Sequence, residues 1–112
     1  MLSLFLQLLL FAPVDSPQVE GMKRFESKET VLLYSIQSTK DKISLVGYLK
    51  EKKTNAPVDN INIEIVEDRI GTVPDLDGKF ELTWQKKKDE KKKIIKFDKT
   101  GFEKFDFICK YP

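Results

Sequence analysis

Two carboxylates and a glycine stand together in Asp75-Leu76-Asp77-Gly78, and six lysines crowd residues 86–93 around Asp89 and Glu90. The first group has the ingredients of a calcium loop or an acid–base pair. The second has those of a phosphate-binding patch. In a calcium loop of the EF-hand type the glycine is the sixth residue, which puts Val73 first and Trp84 twelfth. Calcium needs an oxygen ligand at the first position and a bidentate glutamate at the last. Neither requirement is met. Asp75 and Asp77, two residues apart, point to opposite faces of an extended chain, which does not suit a shared acid–base task. A turn accounts for every residue: aspartate accepts local backbone bonds, Gly78 supplies a positive φ, and Phe80-x-Leu82 restarts an inward face. A loosely held divalent ion is the alternative.

The chain has no histidine and a single cysteine, Cys109. The usual general base near neutral pH, the commonest zinc ligand and any Ser-His or Cys-His pair are therefore missing. An intrachain disulfide is excluded as well. The expectation is a non-enzymatic chain without cofactor or metal. Cys109 closes an inward-facing series and reads as a buried thiol. The candidate binding residues are Lys86, Lys87, Lys88, Lys91, Lys92 and Lys93. The plain reading of this run is a solvated hairpin tip with no inward-facing residue. The functional reading is weak contact with a polyanion, either phosphate groups of an envelope surface or nucleic acid without sequence preference. A net charge of +2 over 112 residues adds no global field toward such a partner. Phe80, Trp84, Phe97, Phe102, Phe105 and Phe107 could stack on bases or sugars. Their alternation with polar neighbours is what a sheet core produces.

That alternation defines the elements. Ile43, Leu45 and Leu49 share a face in KISLVGYLKE, and Asn55, Pro57 and Asn60 then mark turns. Ile61, Ile63 and Ile65 form a second inward series and Phe80, Leu82 and Trp84 a third, Ile94, Ile95 and Phe97 resume an extended segment, and Phe105, Phe107 and Cys109 share a further face. Residues 31–36 could be a further strand or part of a linker. Short strands at such spacing predict an all-β sandwich or barrel with one small core.

The ordered set of Gly47, Leu49, Asn55, Pro57 and Val58, then Ile61, Ile63 and Ile65, then Gly71, Thr72, Asp75, Asp77, Gly78, Phe80 and Leu82, and finally Ile95, Phe97, Gly101 and Phe102 resembles the carboxypeptidase-regulatory-like domain. Pro74 departs from the pattern, standing where that family has threonine or serine, and suggests an edge strand or bulge. The resemblance implies a small antiparallel, transthyretin-like, Greek-key β-sandwich over residues 43–112, without catalytic activity. Such domains accompany metallocarboxypeptidases and TonB-dependent outer-membrane receptors. The chain would then be an exported accessory module with a structural or protein-binding role at the bacterial cell envelope, its partner another envelope protein met through a sheet edge. The alternative is a fragment of such a receptor or peptidase without a function of its own.

The apolar run from Leu2 to Val14 is too short to span a bilayer, which takes about 20 residues, and has the length of a signal-peptide core. Residues 1–21 are accordingly expected to be a signal peptide, although no lysine or arginine precedes the run. Residues 22–42 would be a linker or a docking strand. Were the leader retained, the protein would be cytoplasmic.

Overall fold

The computed structural model describes residues 21–112. The expected leader, except for Gly21, lies outside them. Eight strands follow one another: β1 (Lys23–Glu26), β2 (Thr30–Ser38), β3 (Lys42–Glu51), β4 (Asn62–Ile65), β5 (Ile70–Thr72), β6 (Lys79–Gln85), β7 (Lys92–Lys99) and β8 (Glu103–Lys110). A 3₁₀ turn, Val66–Asp68, separates β4 from β5. The strands form two four-stranded sheets, ordered β1-β2-β3-β6 and β5-β4-β7-β8. Every pairing is antiparallel. The described residues are all-β, and both sheets contribute to one core, as in a sandwich.

The core follows from the alternation. Ile43, Leu45 and Leu49 of β3 are buried together with Ile63 and Ile65 of β4, Phe80, Leu82 and Trp84 of β6, Ile95 and Phe97 of β7, and Phe107 and Cys109 of β8. Their intervening neighbours on β4, β6 and β7 face solvent. Register locks the set: Ile43 lies opposite Trp84, Leu45 opposite Leu82, and Gly47 opposite Phe80. Gly47 belongs to that packing. A β-carbon there would stand 2.6 Å from the Phe80 ring and 2.9 Å from Leu32 Cδ1, so the ring occupies the space a side chain would need.

Residues 22–42, read above as a linker or docking strand, contain β1 and β2. β2 pairs along its whole length with β3, from Thr30 opposite Glu51 to Ser38 opposite Ile43. Val31 and Leu32 are buried. Phe25 of β1 closes one side of the core against Phe107, with ring centroids 5.1 Å apart.

Two connections differ from the hairpins expected of them. β5 and β6 belong to different sheets, as do β6 and β7. The Asp75–Gly78 turn therefore sits inside a crossing between sheets, and the lysine run forms another. Strand pairs from separate sheets share no ladder, so alternation alone makes such a crossing look like a hairpin. Pro74, buried in the first crossing, lies outside the ladder of β5.

Candidate anion-binding site

The turn at residues 75–78 uses its carboxylate as structure. Asp75 Oδ1 accepts the backbone N–H groups of Asp77 (2.9 Å) and Lys79 (3.0 Å). The Gly78 N–H donates to the Asp75 carbonyl at 2.9 Å. Gly78 has φ +80°, and a β-carbon on it would collide with the Leu49 carbonyl. The Gly78 carbonyl in turn accepts the Leu49 N–H at 2.8 Å, which ties the crossing to β3. Asp75 is thus the bonded carboxylate of the pair, and the Asp77 backbone is one of its donors.

The lysine run splits in three. Lys86, Lys87, Lys88 and Lys91 border a shallow concavity of about 320 Å³ with Asp89, Glu90, Pro112 and Lys40. Lys40 comes from the β2–β3 turn and was not among the expected residues; it is 46 positions away from Lys86 in the chain, and only the fold joins them. The Lys86 N–H donates to the Asp41 carbonyl at 2.8 Å, which fixes the loop to that turn. Asp89, at φ 65°, turns the loop between its two lysine groups. Lys92 is exposed at the start of β7, outside the concavity.

Lys93 is a correction. It is 1 % exposed, so the expectation that no residue of the run faces inward does not hold. Its ammonium lies 2.8 Å from Asp68 Oδ2, 2.7 Å from Glu90 Oε2 and 3.6 Å from Glu67 Oε1. Burial by itself would disfavour the ammonium, but the hydrogen bonds it donates to Asp68 and Glu90 outweigh it and hold the pKa above its ordinary 10.5. The bond from Lys93 holds the Asp68 carboxyl below its ordinary 3.8. Lys93 therefore spends its charge inside the fold and is no free binding residue. The sequence did carry the signal. Residue 93 has the same parity as Ile95 and Phe97, so β7 extended backwards points it inward.

This lysine pole is tied to the core next to Tyr111. Trp84 and Tyr111 are buried with ring centroids 5.8 Å apart, and the Tyr111 N–H donates to the Lys91 carbonyl at 3.0 Å. Burial pushes the Tyr111 phenol up from its ordinary pKa. Most of the other stacking candidates are likewise engaged in packing: Phe97 stacks on Phe105 at 4.7 Å with planes 6° apart, and meets Phe80 edge-on at 5.8 Å, whereas Phe102 stands outside the core with the Lys99 ammonium 5.4 Å over its ring. Burial also raises the Cys109 thiol to about 11, far from thiolate chemistry at neutral pH.

A larger groove of about 580 Å³ runs along β4 and β5, but its lining mixes Glu64, Lys96 and Asp98 with Asn62 and Thr72. No one charge dominates it. Among the described residues, no group of three or more carboxylate or cysteine side chains is placed to hold a metal ion. None of the described helices is long and apolar enough to cross a membrane. Comparison with known proteins finds no matching family model, no matching curated protein and no matching solved structure.

Proposed function

We propose that this protein is a non-catalytic β-sandwich module that binds a phosphate-bearing polyanion through its lysine pole, at the surface of the cell envelope. The observation that carries the reading is the convergence of Lys40 with Lys86, Lys87, Lys88 and Lys91 on one concavity holding two acids. Clustered ammonium groups attract phosphates as point charges, with little demand on geometry. The apolar leader and the resemblance to carboxypeptidase-regulatory-like domains, with its transthyretin-like sandwich, support the envelope setting. The employment of the acids supports the non-catalytic part. Asp75 holds a turn, Asp68 and Glu90 neutralise Lys93, and Glu103 accepts four hydrogen bonds from residues 27–30.

The test is co-sedimentation with vesicles of phosphatidylglycerol against vesicles of phosphatidylcholine, with a DNA duplex as a third arm. Binding to the anionic vesicles should be weak, and binding to the duplex no tighter than about 10⁻⁴ to 10⁻⁶ M at physiological salt. Vesicle binding should weaken steadily as salt rises from about 50 to 200 mM, because added salt screens exposed charges. Lys86→Glu with Lys88→Glu should abolish it without lowering the melting temperature. Equal binding to both vesicles, or an unaffected variant, would refute the proposal. Nanomolar, sequence-dependent binding to the duplex would replace it with a nucleic-acid function.

A further inference from the structure

Four strands end the two sheets: β1 and β6 in one, β5 and β8 in the other. β1 has four residues and β5 three, too few for a stable added strand. β6 turns Lys79, Glu81, Thr83 and Gln85 outward. β8 differs. Its eight residues point Lys104, Asp106, Ile108 and Lys110 outward, and Ile108 is 51 % exposed. Beside it in register on β7 is Ile94, 52 % exposed.

The direction of the free main-chain groups on β8 follows from one bond. Tyr111 donates to the Lys91 carbonyl, in phase with the β7–β8 register that pairs Lys110 with Lys92. Bonded positions alternate along an antiparallel ladder, so residues 103, 105, 107 and 109 bond to β7. Residues 104, 106, 108 and 110 then send their N–H and C=O groups to the open side. Those are the same residues whose side chains face solvent.

We propose that β8 is a self-association edge, pairing antiparallel with β8 of a second copy about a two-fold axis at Ile108. This inference is independent of the anion-binding proposal. Charge selects the occupant and the register. Centring the pair on Ile108 sets Asp106 opposite Lys110 of the second copy, and Lys110 opposite Asp106 of that copy. A pair centred on Asp106 would place the two aspartates side by side. One centred on Phe107 would place Lys104 against Lys110 of the second copy. The Ile108 register is free of both conflicts and puts the open-side groups of residues 106, 108 and 110 in bonding phase, for about six main-chain bonds. It also brings Ile94 and Ile108 of both copies into one apolar stripe across the joined sheet. An isologous contact of this kind closes on itself. An interface limited to one strand belongs to the small, transient class, so dimerisation should be micromolar.

Sedimentation velocity of the full chain, over about 1 to 500 µM in steps spanning the micromolar range, tests the proposal. A monomer–dimer equilibrium is expected. Ile108→Pro should weaken it at least tenfold and leave the fold intact, because the lost N–H faces the open side. Asp106→Lys and Lys110→Asp should each weaken association, and the double variant should restore it. A circular-dichroism melt of each variant separates loss of pairing from loss of fold. A protein monomeric throughout the series would overturn the proposal. So would a dimer indifferent to Ile108→Pro, or a charge swap that fails to rescue in folded protein.

Discussion

Lys93 shows how far a single residue can depart from what its composition suggests. Its side chain is wholly buried while those of Asp68 and Glu90 are 14 % and 20 % exposed, so its removal leaves two largely desolvated carboxylates facing each other. Lys93→Met should therefore cost about 3 kcal/mol in urea unfolding, the low end for breaking a buried ion pair. The pH dependence has a defined sign. The Asp68 pKa is depressed on folding, so its contribution is present above the ordinary value of 3.8 and is lost as pH falls through the lower folded value. The Lys93 pKa is raised, so its contribution is complete below 10.5 and is lost only as pH rises through the still higher folded value. Melting temperatures of the wild type should thus drop below about pH 4 more steeply than those of Lys93→Met. Parallel acid limbs would contradict the pairing. At this scale the sequence was legible where parity was followed. The alternation gave Ile43, Ile63, Leu82 and Phe97 their inward places, whereas Lys93 was misplaced because its charge was weighed above its position.

Among the elements, the β1–β2 turn depends on a carboxylate from the other sheet. Glu103 at the start of β8 accepts Ser27 Oγ (2.9 Å), Thr30 Oγ1 (2.9 Å), and the N–H groups of Lys28 (3.0 Å) and Glu29 (3.2 Å). It serves that turn as a bound anion would, satisfying main-chain donors that have no ladder partner. Glu103→Ala should destabilise by about 2 kcal/mol, within the range for hydrogen bonds to a charged group. Amide exchange at Lys28 and Glu29 should accelerate before that of β3. Unchanged protection there would mean that the turn holds itself. Nothing in the sequence marks Glu103 for this role, since its four donors lie more than 70 positions away. β3, β4, β6, β7 and β8 were readable from their period of two, whereas β2 was left open between strand and linker and the short β1 and β5 were missed. Which strands share a sheet was not readable, because a crossing and a hairpin leave the same trace in a one-dimensional pattern. The candidate site suffered accordingly: the run contributed Lys86, Lys87, Lys88 and Lys91, but Lys40 joins them only through the β2–β3 turn.

For the whole molecule, the order of strands governs how the chain can reach its fold. β3 pairs with β6 across β4 and β5, and β4 pairs with β7 across β5 and β6. Each sheet is thus completed by a strand that passes through the other sheet's part of the chain, and loop closure comes before the contacts that reward it. Refolding should be slow for so small a chain, in milliseconds to seconds as for other sandwiches, and a microsecond phase carrying the full amplitude in stopped-flow fluorescence of Trp84 would contradict this. On the ribosome the same order opens a gap in time. The meander β1–β2–β3 can form as soon as it emerges, but the outer edge of its ten-residue strand β3 stays unpaired until Phe80, Leu82 and Trp84 have been made. At about 5–20 residues per second, the stretch 52–78 between the two strands and β6 itself leave that edge open for a few seconds, long enough for nascent chains on neighbouring ribosomes to pair with one another or for a chaperone to occupy it first.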